Sequence, residues 1–146
     1  MRAHMKTWNW CVSGSKPYKT RSMKNLLKLE ELGQFILSIF LFNQLEYAWW
    51  VYPSCLLLPD FSMLGYAVNT RIGAWTYNFF HHKALGIAGF MLGFWLGVSW
   101  LTLAGIILFG HAAMDRMFGY GLKFSDSFQH THLGWIGQKE VVQKTY

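Results

Sequence analysis

The stretch Gly110-His111-Ala112-Ala113-Met114-Asp115-Arg116-Met117-Phe118-Gly119-Tyr120-Gly121-Leu122-Lys123 closes the last long apolar run of the chain. It nevertheless carries an imidazole, a carboxylate, a guanidinium and an ammonium. His111 and Asp115 stand four apart, so on a helix they share a face and can grip one proton, one water or one metal ion. The same spacing also suits a plain structural hydrogen bond, and His-x-x-x-Asp alone lacks the second His and the Glu of better-known zinc motifs. A second polar signal is Asp60, a carboxylate well inside another apolar run and directly after Pro59. A third is His81, with Asn78 three residues before it on the same helical face. Carboxylate and imidazole donors suit zinc, iron, manganese and related divalent ions, and the cores of helix bundles commonly hold such sites. A bound ion there would activate water for hydrolysis, with a further acid or His moving protons.

The elements that must position these residues are membrane-like. Apolar residues make up 53% of the 146-residue chain and aromatics 18%, while charged residues are only 14%, against roughly 25% in an average soluble domain. The apolar residues concentrate between about Leu32 and Leu108, as in an integral membrane protein. The formal charge is +6, and seven of the thirteen Lys and Arg precede residue 29, beside an apolar span. That placement favours an anionic lipid surface as partner, and no nucleic-acid-binding motif accompanies the charge. Cys11 and Cys55 form no metal spacing and make a poor disulfide pair.

Residues 1–22 read as a flexible basic tail, without the apolar core and cleavage site of a signal peptide. Met23-Lys24-Asn25-Leu26-Leu27-Lys28 resembles a natural start, with Met23 the expected initiator; an intact mass that includes residues 1–22 would refute this. Four spans follow over a membrane domain at 23–137, with a polar tail at 138–146. The first runs from about Leu26 to Leu45, with Glu30 and Glu31 favoured in its opening turns by the helix dipole. The second covers about Trp49 to Tyr66, kinked at Pro59, which cannot donate to the carbonyl of Cys55. The third is expected as one long helix from Ile72 to Gly97, with Gly86, Gly89, Gly93 and Gly97 allowing close packing; a shorter span at Ala84–Gly97 is the alternative. Gly97-Val98-Ser99 turns into the fourth span, Trp100–Met117, and Gly119-Tyr120-Gly121 ends it. Tyr77 and the tryptophans read as lipid-facing or packing residues, His82 and Lys83 as snorkelling or solvated.

With four spans both termini share one side. Twelve of the thirteen Lys and Arg lie there, so the positive-inside rule places both termini in the cytoplasm, in the cytoplasmic membrane. At about 1.5 Å per residue, Asp60 and His111 lie about 9 Å from that side and His81 about 13 Å. Glu30 and Asp115 sit nearer the surface. Acids and histidines from four helices thus fall in one layer, which scattered core polars would not be expected to do. Arg116 and Lys123 stand beside it, able to steady a phosphate or anionic headgroup or simply to anchor the helix end. His130 and His132 belong to a segment that either folds over the bundle mouth or is a solvated tail.

Pro59-Asp60-Phe61-Ser62-Met63-Leu64-Gly65-Tyr66, Tyr77-Asn78-Phe79-Phe80-His81, His111-Ala112-Ala113-Met114-Asp115-Arg116 with Gly119-Tyr120-Gly121-Leu122-Lys123, and Thr131-His132-Leu133-Gly134 together resemble the domain of unknown function 4260 family. The likeness runs from about Leu29 to Gly137. It implies a small bacterial membrane protein and brings little function with it. A looser likeness is to bacterial membrane-bound metal-dependent hydrolases, which also carry a Pro-Asp in one span and a His-x-x-x-Asp in another. It implies Asp60, His81, His111 and Asp115 as metal ligands, although the paired histidine–arginine and Thr-His-Ser run of that group are missing here. The sequence therefore leads to an all-α bundle of four transmembrane helices. Its expected function is metal-dependent hydrolysis of a lipid-like or amphipathic substrate, with Glu30 or His132 moving protons and Arg116 or Lys123 binding the substrate. The rival expectation is a non-enzymatic membrane subunit or a proton or ion pathway, since buried Asp and His chains also serve as relays.

Overall fold

The computed structural model describes residues 17–137, with side chains from residue 22 onward. Of the expected tail at 1–22, residues 1–16 lie outside the described residues and 17–22 belong to the first helix; the expected tail at 138–146 lies outside them entirely. The order of elements is α1 (Pro17–Phe42), α2 (Val51–Leu56), a 3-10 segment (Leu58–Ala67), α3 (Thr70–Phe80), α4 (Lys83–Leu96) and α5 (Ser99–Phe118). A hairpin of two-residue strands, β1 (His130–Thr131) and β2 (Gly134–Trp135), follows. The described chain is mostly helical, as the expected all-α class requires.

Helix α5 is the axis. It buries Thr102, Gly105, Ile106, Ile107, Gly110, His111, Ala112 and Ala113, and packs against α1 on one side and α4 on the other. The α4 contact is a seam of small residues: a Cβ on Gly105 would strike the backbone of Phe90 and Gly86, and one on Gly86 would strike that of Phe109. Backbones approach this closely only where side chains are absent. On the α1 side, Gly110 leaves room for the Ser38 hydroxyl, which is 2.6 Å from the hydroxyl of Tyr52. Phe42, Tyr52, Leu56, Ile106 and Ile107 form the apolar core. Gly97 and Gly119, at φ +67° and +97°, close α4 and α5 in the left-handed conformation that the expected turns require.

Three expectations change. Pro59 does not kink a through-helix: α2 stops at Leu56, and Pro59 opens a ten-residue 3-10 segment, unusually long for that geometry. Its ladder is supplemented from outside, by the Thr76 hydroxyl donating to the Ser62 carbonyl at 2.9 Å. The expected long third helix breaks at His81-His82, so the shorter alternative describes α4 better. Helix α1 starts at Pro17, a residue suited to a first helical turn, which places Glu30 and Glu31 mid-helix and removes the dipole account of them. Among the described residues α5 alone is long and apolar enough to cross a membrane by itself; α4 is apolar but shorter.

The segment after α5 is no loose tail. Both ends of the Asn78 side-chain amide bond the backbone of Lys123, at 2.8 and 2.7 Å, and Lys123 bridges Thr131. The hairpin is thereby pinned onto α3.

Candidate metal centre

Each breakdown of regular helix delivers one donor. Asp60 follows Pro59 in the first turn of the 3-10 segment, His81 caps the C-terminus of α3, and α5 contributes His111 and Asp115 from successive turns. The four donor atoms lie within 4.8 Å of one another. His81 Nε2 is 3.6 Å from Asp60 Oδ1 and 3.5 Å from Asp115 Oδ2; His111 Nε2 is 3.5 and 3.9 Å from Oδ1 of the same two carboxylates. These separations are too long for hydrogen bonds. Only the two imidazole Nε2 atoms are in hydrogen-bond contact, at 2.8 Å. Of the expected layer, Asp60, His81, His111 and Asp115 converge, while α1 contributes no donor to the group.

Tyr77 organises it. The ring is 1% exposed and stacks on His81 with centroids 3.6 Å apart. Its hydroxyl donates to Asp115 Oδ2 at 2.6 Å, and its carbonyl lies 2.8 Å from His81 Nδ1. A carbonyl can only accept, so His81 Nδ1 carries the proton and Nε2 presents a lone pair to the cluster. That is the partner arrangement of a ligating histidine. His111 lacks it: its Nδ1 is buried with no hydrogen-bond partner. Tyr77 had read as a packing or lipid-facing residue, yet its position four before His81 on one helical face was the available clue.

The donor set fits a divalent ion. A tetrahedral site with bonds of about 2.0–2.1 Å has donor–donor edges of about 3.3 Å. Asp60 Oδ1 stands near that distance from both imidazoles, at 3.6 and 3.5 Å, while the imidazoles themselves are closer, at 2.8 Å. The two histidines and Asp115 are shielded, while Asp60 has its side chain 37% exposed. Asp60 is the charged residue in a shallow cleft of about 540 Å³ otherwise lined by Leu57, Phe61, Met63, Leu64 and Ala67.

Other expected site residues fall elsewhere. Glu30 is exposed on α1, outside the cluster. His132 is exposed, and its Nδ1 accepts the Leu122 N–H at 2.8 Å, holding the C-terminal segment in place. Lys123 is 4% exposed; its Nζ donates to the Phe128 carbonyl at 3.1 Å and lies over the rings of Phe128 and Tyr77. Burial pushes its pKa down to about 8, against the smaller opposing pull of Asp115 and Asp60. Arg116 instead faces a separate cleft with residues of α1. Lys83 does not snorkel but bonds Glu31 and Gln34 of α1, whereas His82 is exposed.

No curated protein and no solved structure is significantly similar to the chain. Residues 24–136, more than three quarters of its length, match a family described as a domain of unknown function (DUF4260). All four converging donors and Tyr77 fall inside that span, and the chain belongs to the DUF4260 family.

Proposed function

We propose that the protein is a multi-pass membrane enzyme, a metal-dependent hydrolase acting on a lipid-like or amphipathic substrate, in which Asp60, His81, His111 and Asp115 hold a divalent ion such as zinc, iron or manganese. The observation that carries this is the convergence of four donors that face one centre while mostly out of hydrogen-bond range of each other. Such an ion, when bound, supplies Lewis acidity and eases the deprotonation of water. The chain's own residues supply the rest. Tyr77 fixes Asp115 through its hydroxyl and His81 through its carbonyl. Asp60 turns Oδ1 to the imidazoles, and its side chain borders the cleft. The apolar wall beside it accepts the chain of an amphipathic substrate. Membrane placement is supported by the asymmetric cations and by large side chains left bare, Trp95 at 81%, Trp49 at 78% and Phe94 at 76% exposure. The looser likeness to membrane-bound metal-dependent hydrolases points the same way.

Elemental analysis of the gently purified protein is expected to find one transition-metal ion per chain, falling to background in Asp60→Asn and His111→Ala. Folded variants that retain stoichiometric metal would sink the proposal. Carbonate extraction of membranes tests the bilayer placement separately, and release of the chain into the supernatant would count against it. A second function, proton conduction, is favoured by the 2.8 Å contact between the imidazoles. It gains if the wild type carries no metal and His111→Ala abolishes proton flux into vesicles.

A further inference from the structure

Lys24, Leu27, Lys28 and Glu31 recur at three- and four-residue spacing, so they share one face of α1. Opposite that face stand Arg116 and Gly119 at the end of α5, and His132 and Leu133 of the C-terminal segment. Together the eight residues line a cleft of about 470 Å³. The carboxylate of Glu31 is engaged by Lys83, and Lys24, Lys28 and Arg116 bring cationic side chains to the same lining. Leu27 and Leu133 add apolar wall. At the same level, α1 turns Met23, Leu26 and Leu29 outward, 54%, 60% and 63% exposed. The cleft therefore lies where an apolar surface gives way to a cationic one. An arginine fork flanked by lysine point charges suits phosphate oxygens, and a basic cluster at such a boundary suits a lipid headgroup.

We infer that this cleft is a binding site for a phosphate-bearing ligand, the headgroup of an anionic phospholipid, distinct from the four-donor centre. It rests on the membrane placement proposed above and not on the metal. The expected pairing of Arg116 with Lys123 is replaced by a pairing of Arg116 with Lys24 and Lys28.

The test titrates full-length protein in non-ionic detergent with short-chain phosphatidylglycerol, with phosphatidylcholine of the same chains, and with inorganic phosphate. Phosphatidylglycerol is expected to bind saturably and about tenfold more tightly than either alternative. Lys28→Ala with Arg116→Ala is expected to weaken it by about tenfold, and Arg71→Ala, which removes an exposed cation at the start of α3, by less than about twofold. Because Arg116 adjoins Asp115, Lys24→Ala with Lys28→Ala is run in parallel; it is expected to weaken binding while leaving the metal content of the wild type unchanged. Equal losses in Arg71→Ala would overturn the site in favour of diffuse surface charge. Phosphatidylcholine matching phosphatidylglycerol would overturn it too. Inorganic phosphate binding as tightly as the lipid would assign the cleft to a soluble phosphate compound and overturn the headgroup. Carbonate extraction of the wild type reports on the membrane placement independently of these outcomes.

Discussion

Helices α4 and α5 meet through glycines, whereas α3 meets α5 through an imidazole and a phenol. In the first contact, Gly86, Gly89, Gly93 and Gly105 bring two backbones together, and nothing there can hold a proton or an ion. In the second, Tyr77 and His81 reach His111 and Asp115. The unbroken helix α5 carries Gly105 together with His111 and Asp115, whereas the other two donors stand at interruptions, Asp60 just after the end of α2 and His81 at the end of α3. Interruption is what brings Asp60 and His81 to the pair that α5 carries. A continuous helix through Pro59 or His81 would keep its backbone groups paired and offer only the periodic faces of a cylinder. Ending one element and starting another re-aims a side chain at the cost of polar groups that neighbours must then satisfy. At the 3-10 segment Thr76 does so, its hydroxyl donating to the Ser62 carbonyl.

The largest effect that can break this division is expected at the glycine seam. Gly105→Ala forces a methyl group into the backbone of Phe90 and Gly86, which no rotamer change relieves. A loss of about 1–3 kcal/mol is expected, the usual cost of overpacking, read from denaturant unfolding in detergent. Metal bound per folded chain should not change. If metal affinity falls in step with stability, the seam and the donor cluster are one cooperative unit and the division is wrong.

Tyr77→Phe probes the other side. It removes the hydroxyl on Asp115 and keeps the ring on His81. Metal affinity, measured by competition with a chelator, is expected to drop by about tenfold or more, the usual effect of losing a supporting hydrogen bond to a ligand. Stability is expected to change by only about 1 kcal/mol. Retained affinity would mean that Asp115 needs no help in facing the centre.

The same division governs what the sequence disclosed. The glycine spacing and the turns at Gly97 and Gly119 were legible because they follow from local periodicity. The convergence of Asp60, His81, His111 and Asp115 was expected from their depth along the runs, although the continuous helices assumed for Asp60 and His81 are not the elements that deliver them. The breaks were not. Gly65 and Gly73 let the 3-10 segment and α3 pack closely, with Tyr66 lying over Gly73, and no local pattern announces that contact. The partners of Lys83 and Lys123 were hidden for a related reason. Each ammonium is satisfied by an element about fifty residues away or by a ring and a carbonyl within its own loop, neither of which spacing reveals.

A smaller effect is expected from Lys123. Its folded pKa, about 8, lies below its ordinary 10.5, so between those values the unfolded chain holds a proton that the folded chain has released. Stability contributed at this position therefore rises with pH across that window. Lys123→Met lacks the titration. The wild type is accordingly expected to gain on the variant as pH is raised from 8 to 10.5 in parallel thermal melts. A constant difference across that range would show that the ammonium is better solvated than its burial implies.

The smallest effect tests how far the polar region extends. His130 Nδ1 is 2.8 Å from Asp126 Oδ2, and that hydrogen bond holds the Asp126 carboxyl below the usual carboxylate range. A depressed carboxylate stabilises the folded state above its ordinary pKa, and the contribution disappears as pH falls through the folded value. Both side chains are open to solvent, and exposed pairs contribute little. His130 also stacks on Trp135, with centroids 4.5 Å apart, which holds the hairpin without the carboxylate. Asp126→Asn is therefore expected to leave global unfolding and metal affinity unchanged at neutral pH. It should modestly speed hydrogen exchange at the His130 and Ile136 amides, which bond Ser127 and Gln129 across the turn. Should it instead lower metal affinity as Tyr77→Phe does, the hairpin belongs to the donor cluster through Lys123 and Asn78, and the polar region reaches the end of the described chain.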